Sequence, residues 1–358
     1  MARHSPATKI KHLRRALGSW YDLNRRSLPW RRKRANPYHV LVSETMLQQT
    51  QVVTAIPYFK RFINAFPTLE SLADADEQAV LRLWQGLGYY RRARMLHRTA
   101  RTVVADCGGK IPCDVGELRQ LPGVGPYTAA AIASIAFEKP HGVLDGNVSR
   151  VLARIFAVKT ATDRPLARQK LADLSDSLAA GIDPGRINQA VMELGALVCL
   201  PKKPTCAQCP VASICEACLK GLTRSLPKRL PRRAPQRVTH HVAALTRGGR
   251  YLFESRPDRG LWAGMWQLPT AQTLGRNARD TDLGAWITEN LGAPTTTPVP
   301  VCTFEHRTTH RTITFKLWKM RSLGAIRGAP GRTWRRLGDL DDLPLANPQR
   351  RAVSTLSG

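Results

Sequence analysis

Four cysteines lie within seventeen residues of this sequence, at Cys199, Cys206, Cys209 and Cys215, with the spacing C-x6-C-x2-C-x5-C. Thiols that cluster in a reducing compartment usually bind metal. Zinc sites commonly pair one C-x2-C with a second such pair at a distance. A single C-x2-C flanked by gaps of six and five is more typical of a loop that wraps an iron–sulfur cluster. The spacing favours iron–sulfur and leaves zinc as the alternative.

The remaining cysteines are scattered, and we expect them to be small buried apolar groups: Cys107, Cys113, Cys218 and Cys302. Of these, Cys218 creates a further C-x2-C with Cys215 and is a spare thiol beside the cluster. No apolar run approaches the roughly 18 residues of a membrane span, and no apolar segment of a secretion signal is found near Met1. A cytoplasmic location with no membrane partner is therefore expected.

The charge balance is strongly basic, with 55 Lys and Arg against 26 Asp and Glu and a net charge of +29. An excess of this size points to polyanionic partners, nucleic acid first, although a merely well-solvated surface would have the same composition. The length of 358 residues favours two domains.

Three stretches differ in character along the chain. Residues 1–218 have apolar residues at helical spacing, as in Val148, Val151 and Leu152, and are predicted to be mostly helical. Residues 219–235 are basic and proline-containing and predict an extended linker. Residues 236–358 are predicted to form an α+β domain.

The α+β prediction depends on specific segments of the last stretch. Residues 238–246 and 250–256 flank Gly248 and Gly249 and predict a β-hairpin. Residues 311–320 alternate like a strand, whereas residues 283–291 favour a helix that Gly292 ends.

The segment LPGVGPYTAAAIAS, residues 121–134, predicts a helix-hairpin-helix element. Asp114 and Glu117 form the pattern of a capping box before a short helix, and a second helix is expected over residues 127–137. The turn residues Gly123, Val124 and Gly125 could direct backbone amides at a DNA phosphate. A Gly-x-Gly turn that only joins two helices is the alternative.

Two acidic residues have surroundings suited to cleavage of a glycosidic bond, which needs a proton donor and an anion facing a cationic sugar. Glu44 follows a mostly apolar run, so burial could raise its pKa and keep it protonated. The alternative is an ordinary first-turn acid in a helix capped by Ser43. Asp145 is expected to cap a helix over residues 147–156, a position that lowers a carboxyl pKa.

Several motifs together resemble the endonuclease III superfamily of DNA glycosylases, and most of all its MutY branch. They are SETMLQQTQVVTAIPYFKRF, WQGLGYYRRAR, LPGVGPYTAAAIAS, VLDGNVSRVLARIF and ELGALVC with the cysteine spacing. The resemblance covers about residues 10–218 and, more loosely, the last third. It implies that the four clustered cysteines hold one 4Fe-4S cluster. It also implies that Glu44 protonates N7 of adenine and Asp145 stabilises the sugar cation, with Asn147 orienting Asp145 and Glu193 supporting the site.

The same resemblance indicates whether the enzyme also cleaves the DNA strand and which residues open the duplex. Bifunctional relatives have a lysine where this chain has Tyr127, so a monofunctional enzyme is expected. Tyr89 is implied as a wedge next to the damaged guanine, with core packing as the alternative for Tyr89 or Tyr90. Other residues expected to contact DNA are Gln48, Gln49, Thr50 and Leu87.

Residues 236–358 resemble the Nudix-like module of MutY proteins, with GLWAGMWQLP as the best match. The acidic motif of Nudix hydrolases is not found, so magnesium-dependent nucleotide hydrolysis is not expected. In the family a Phe-Ser-His loop recognises the lesion, and this chain has Thr308, Thr309 and His310 there. A weaker or altered lesion preference is expected, and a solvated hairpin tip is the alternative.

The resemblance therefore implies a monomeric bacterial, nucleoid-associated adenine DNA glycosylase acting on duplexes with adenine opposite 8-oxoguanine or guanine. Repair-protein contacts through the linker are a further expectation. The alternatives are a thymine or mismatch glycosylase on the same core and a non-catalytic iron–sulfur DNA-binding protein.

Overall fold

A computed structural model describes residues 6–31, 35–231, 234–274 and 283–357. The chain forms two compact units, one comprising Met1–Asp74 with Met95–Pro231 and the other comprising Ala75–Arg94 with Arg232–Gly358. The boundaries predicted at residues 218 and 235 did not place Ala75–Arg94 with the C-terminal part. Two residues of the predicted linker, 232 and 233, lie outside the described residues.

The part of the chain before the linker is helical, which confirms the predicted fold class for it. Its helices are α1 Pro6–Asn24, α2 Pro37–Leu47, α3 Val52–Ala65, α4 Leu69–Ala73, α5 Glu77–Trp84, α6 Arg91–Asp106, α7 Val115–Gln120, α8 Pro126–Phe137, α9 Gly146–Ile155, α10 Pro165–Ala179, α11 Pro184–Leu197 and α12 Glu216–Leu219. None of the helices in the described ranges has the length and apolarity needed to cross a bilayer.

The predicted helix-hairpin-helix element is confirmed as α7, a tight turn and α8. The Asp114 carboxylate caps α7 by accepting a hydrogen bond from the Glu117 amide at 3.0 Å, and Pro126 begins α8. Gly123 has φ +77° in the turn, and a Cβ there would lie 2.5 Å from Cβ of Met95. A side chain at this position would therefore meet both backbone strain and a steric clash.

The core of the first unit is built from the apolar faces of α1, α8, α9, α10 and α11. Leu13, Leu17 and Tyr21 lie four residues apart on one face of α1 and are almost fully buried. They share a core with Val151 of α9 and Leu194 of α11. Helices α9 and α11 meet this closely because Gly195 has no side chain: a Cβ there would lie 2.8 Å from Cβ of Asn147.

The second unit contains a mixed sheet whose strands are β1 Gln236–Arg247, β2 Arg250–Ser255, β3 Trp266–Gln267, β4 Thr270–Leu274, β5 Val299–Arg307, β6 Arg311–Arg321 and β7 Arg332–Arg335. The order is β3-β2-β1-β6-β5, with β4 pairing with β1 and β7 pairing with β2. Strand β1 is parallel to β6 and antiparallel to β2, as in the predicted hairpin.

Two helices accompany the sheet, α13 Leu283–Leu291, which has the predicted bounds, and α14 Asn347–Ser357. Alternate residues of β1 enter different cores, as the period of two requires. Val242 packs in a cluster with Ala352 of α14, while Leu245 packs in a cluster with Ile287 of α13. The α+β prediction for the C-terminal domain is thus confirmed.

Candidate active site

A cavity of about 920 Å³ in the first unit brings together residues predicted from separate sequence motifs. Its lining includes both predicted acids, Glu44 and Asp145, the predicted Tyr127 and Asn147, and the side chains of residues 48–50. These residues come from the end of α2, the start of α8 and the start of α9. The cavity is therefore the candidate active site, and we refer to it as the active-site cavity.

Glu44 lies near the end of α2, and its side chain is buried with 4% exposure. The alternative that Ser43 caps a helix starting here is wrong, because Asn36 caps α2 and Ser43 bonds back to the Val40 carbonyl. The Tyr127 hydroxyl donates a hydrogen bond to Oε2 of Glu44 at 2.6 Å. Burial outweighs this bond and raises the pKa of Glu44 to about 7, which is the predicted direction of the shift.

Asp145 caps α9, and its Oδ1 accepts a hydrogen bond from the Val148 amide at 2.6 Å, which confirms the predicted cap. The expected direction of its pKa shift is wrong. Burial raises the pKa of Asp145 above its usual value, although the cap hydrogen bonds act in the opposite direction. The sequence showed the cap but not how little water reaches the carboxyl, and desolvation is the larger effect.

Asn147 was predicted to orient Asp145, but the hydrogen bond of its side chain is to Arg150. Its side-chain oxygen accepts a hydrogen bond from Nη2 of Arg150 at 2.7 Å, and Arg150 also donates to the carbonyls of Gly195 and Cys199. The backbone amide of Asn147 contributes to holding the Asp145 carboxylate. Arg150 therefore connects the start of α9 to the first residue of the cysteine segment.

Glu193 lines the cavity from α11 and is 1% exposed. Burial alone would raise its pKa, but hydrogen bonds from Arg26 and Arg31 hold the pKa of Glu193 at about 2. Arg26 donates through its backbone amide, Nε and Nη2, and Arg31 donates through Nη2 at 2.9 Å. Glu193 is thus ionised and cannot replace Glu44 as a proton donor near neutral pH.

Three arginines at the cavity were not predicted from the sequence: Arg26 and Arg31, which neutralise Glu193, and Arg229. Arg229 belongs to the linker and lines the same cavity. Linker residues on both sides of it are bonded to the first unit, since the Asp163 carboxylate accepts from the Leu230 amide and the Thr162 amide donates to the Lys228 carbonyl. The linker contains several Lys and Arg residues, and only the folded structure shows that Arg229 is the one that lines the cavity.

The predicted DNA-contacting residues of the first unit fall into two groups. Gln48, Gln49 and Thr50 follow α2 and line the cavity, and Gln49 has a left-handed backbone with φ 59°. In the hairpin turn, the Val124 amide donates to the Leu121 carbonyl at 3.2 Å, so it does not point at a phosphate as expected. The first-turn amides of α8 lack intrahelical partners and remain suitable for an anion.

The four clustered cysteines line one small apolar cavity, together with the spare Cys218. In the described ranges, no three Cys, His, Asp or Glu side chains converge as the ligands of a single metal ion would. Burial raises the pKa of Cys209 to about 11, so a cationic group would be required to hold several thiolates here. Four thiols around a shared space fit a group larger than one ion. The prediction that the scattered cysteines are buried is wrong, because Cys113 is exposed and Cys107, Cys218 and Cys302 are only partly buried.

Family models match both units. Residues 42–176 match the HhH-GPD superfamily of base excision DNA repair proteins, and residues 241–355 match the NUDIX domain. An adenine DNA glycosylase of Buchnera aphidicola subsp. Baizongia pistaciae is 34% identical over 274 residues, which cover 76% of each chain. The chain belongs to the adenine DNA glycosylase family.

Other adenine DNA glycosylases are more similar to this chain in sequence, but over fewer residues. The human adenine DNA glycosylase is 49% identical over 217 residues, covering 58% of this chain and 40% of the human one. The chain thus spans less than half the length of that relative. Among solved structures, a thermostable thymine-DNA glycosylase superposes with a TM-score of 0.54 at 28% identity, covering 59% of this chain and 97% of that one.

In the second unit, the predicted wedge and the predicted recognition loop lie side by side. The Tyr89 hydroxyl is 3.2 Å from Oγ1 of Thr309, and Tyr89 is 48% exposed whereas Tyr90 is buried. The expectation that one tyrosine of the pair packs in the core is confirmed for Tyr90. Leu87 is also buried, and His310 is exposed at the end of the hairpin between β5 and β6.

Proposed function

We propose that this chain is a monofunctional DNA glycosylase that hydrolyses the N-glycosidic bond of adenine paired with 8-oxoguanine or guanine. The observation that carries the proposal is the pair of unlike carboxyls in one cavity. Glu44 has a pKa of about 7 and so retains its proton near neutral pH. Asp145 lies in the same cavity with its carboxylate fixed at the start of α9.

The reaction requires the adenine to leave the helical stack and enter the active-site cavity. Glu44 protonates the base at N7, which makes it a better leaving group. The bond between N9 and C1′ breaks with its electron pair going to N9, and the Asp145 carboxylate stabilises the positive sugar. Water then adds to C1′ and gives up a proton to the Glu44 carboxylate, which restores the protonated acid and leaves an abasic site and free adenine.

Tyr127 is the reason that no strand cleavage is expected. Its hydroxyl is a hydrogen-bond donor to Glu44, and burial together with that carboxyl raises the pKa of Tyr127 well above its usual value. A neutral phenol has no amine with which to form a Schiff base at C1′. Tyr127 instead orients the proton donor.

We further propose that Cys199, Cys206, Cys209 and Cys215 hold one 4Fe-4S cluster, which would join the cysteine segment to the rest of the first unit. The shared cavity and the buried Arg154, which donates to Sγ of Cys199 at 3.3 Å, support this. About four iron atoms and four acid-labile sulfides per chain are expected on analysis of the purified protein. Stoichiometric zinc without sulfide would overturn the proposal.

Double-stranded DNA is the proposed partner, and the protein is proposed to act as a monomer in the bacterial nucleoid. Two features support DNA binding, the net charge of +29 and the arginines that line the cavity, which are Arg25, Arg26, Arg31, Arg150, Arg186 and Arg229.

Thr309 and His310 are proposed to contact the base opposite adenine. The linker is proposed to contact other repair proteins. A thymine glycosylase is the second candidate, favoured by the structural similarity to such an enzyme.

A single-turnover assay on labelled duplexes tests the proposal. The duplexes contain A opposite 8-oxoguanine, A opposite guanine, or T opposite guanine. We expect cleavage of the adenine strand only after alkali, since an abasic site is alkali-labile. Thymine release would establish the second candidate. Tight binding without any release would indicate a non-catalytic DNA-binding protein.

The two carboxyls predict a bell-shaped dependence of the single-turnover rate on pH. Glu44 must be protonated, so the rate falls as pH rises above the pKa of about 7. Asp145 must be ionised, so the rate also falls as pH drops through its raised pKa. Rates between roughly pH 5 and 9 check this. A rate that continues to rise beyond pH 8 would contradict the role of Glu44 as the acid.

A further inference from the structure

The loop between α5 and α6, residues 85–90, has an unusual backbone, and we call it the wedge loop. Gly86 and Gly88 have φ values of 100° and 77°, and Tyr89 has φ 52°. Glycine adopts such angles readily, but a bulky aromatic residue does so only when its surroundings enforce it. The backbone conformation at Tyr89 must therefore be held by contacts around the wedge loop.

Hydrogen bonds to the loop backbone supply part of this constraint. The Gly88 carbonyl accepts from Nε1 of Trp84 at 3.1 Å and from Nη2 of Arg92 at 3.0 Å. The Gly86 amide donates to the Tyr90 hydroxyl at 3.3 Å. The two donors at Gly88 hold the peptide that directly precedes Tyr89.

Arg92 also contacts the wedge side chain itself. Its guanidinium lies over the ring of Tyr89, 5.3 Å from the centroid, and over the ring of Trp84, 5.4 Å from the centroid. Arg92 is 9% exposed, and burial lowers its pKa to about 10. A buried cation is unfavourable unless its contacts compensate, and the two aromatic faces and the carbonyl do so.

The neighbouring basic residues of α6 are engaged elsewhere or exposed. Arg94 forms ion pairs with Glu77 and Asp258, at 2.9 Å and 3.1 Å. Arg91 is exposed to solvent. Arg92 therefore combines burial with contact to both the backbone and the ring of the wedge loop.

We propose that Arg92 is a positioning residue that fixes the ring of Tyr89 so that it inserts between bases beside the 8-oxoguanine. The inference deepens the proposed function and rests on it for the identity of the lesion. The contact of Tyr89 with Thr309 holds the exposed end of the ring, whereas Arg92 holds the backbone and the face of the ring. The ligand of the assembled wedge is a purine base step in duplex DNA.

The test compares Arg92→Met, Arg92→Lys and the control Arg91→Met in the full chain. The probe is a duplex with adenine opposite 8-oxoguanine and 2-aminopurine next to the 8-oxoguanine, because its fluorescence rises when stacking is lost. Wild type and Arg91→Met are expected to give the full rise. Arg92→Met is expected to give little, with an excision rate about tenfold lower. Arg92→Lys is expected to be intermediate, since it keeps the charge but loses the planar guanidinium that lies over the two rings.

A double-mutant cycle separates positioning from general destabilisation. In a Tyr89→Ala background, Arg92→Met is expected to cause no further loss of excision rate, because Arg92 acts through the Tyr89 ring. An additive loss would overturn the proposal, as would an equal fluorescence rise in Arg92→Met and wild type. No rise with wild type would also overturn it. A normal rise in wild type without adenine release would instead refute the proposed function and leave the wedge inference standing.

Discussion

Glu44→Gln is expected to lower the single-turnover rate of adenine excision by roughly 10³-fold or more while DNA affinity is retained. Glutamine has nearly the same shape and can still accept the hydrogen bond that Tyr127 donates at 2.6 Å. It has no acidic proton for the leaving adenine. The measurement is excision on the A opposite 8-oxoguanine duplex, together with a binding assay on the same DNA.

The variant should also fold at least as well as the wild type. Burial raises the pKa of Glu44 from its usual value to about 7. Folding must therefore take up a proton at a pH between those two values and bury a charge above pH 7, and both lower the stability of the wild type. An uncharged amide avoids this, and the thermal midpoint of Glu44→Gln at pH 8 should be equal or higher. Glu289→Gln, on the exposed side of α13, is the matched control and should leave the rate unchanged. Wild-type excision by Glu44→Gln would refute the assignment.

Asp145→Asn is expected to lower the excision rate by about 10²- to 10³-fold. Asparagine is as good an N-cap as aspartate, so the bond from the Val148 amide and the start of α9 should persist. The negative charge that faces the positive sugar is lost. Single-turnover excision is the measurement, with circular dichroism to confirm that the helices remain.

The pH dependence distinguishes this variant from a general loss of structure. Only the alkaline limb, due to Glu44, should remain, because the acidic limb depends on ionisation of Asp145. Asp173→Asn on the exposed face of α10 serves as the matched control. An acidic limb that persists in Asp145→Asn would show that another group stabilises the sugar cation.

Much of the local structure was predictable because it depends on neighbours in sequence. The cap at Asp114, the start of α8 at Pro126 and the helix Leu283–Leu291 all follow from residues within one or two turns. The wrong prediction that Ser43 caps a helix also arose from considering only neighbours in sequence. Several residues near Glu44 could begin a helix, and a local pattern does not show that Asn36 already does so.

The candidate site was predictable in its residue types but not in its electrostatics. Glu44 and Asp145 were identified from their immediate surroundings, yet the pKa of Asp145 shifts in the direction opposite to the prediction. Desolvation depends on atoms that arrive from distant helices, so a sequence motif cannot report it. The neutralisation of Glu193 by Arg26 and Arg31 is of the same kind, since these residues are more than 160 positions apart.

The sequence by itself determined that a helical part is followed by an α+β part, and it determined the spacing of the four thiols. It also identified Glu44, Asp145 and Tyr127, which line the cavity. The tertiary structure alone decided that Ala75–Arg94 packs with the C-terminal unit, that Arg229 reaches the cavity, and that Arg92 lies over Tyr89. Helical periodicity and capping depend on residues that are close together in the sequence. Burial and ring contacts are long-range, and they exist only once the chain has packed.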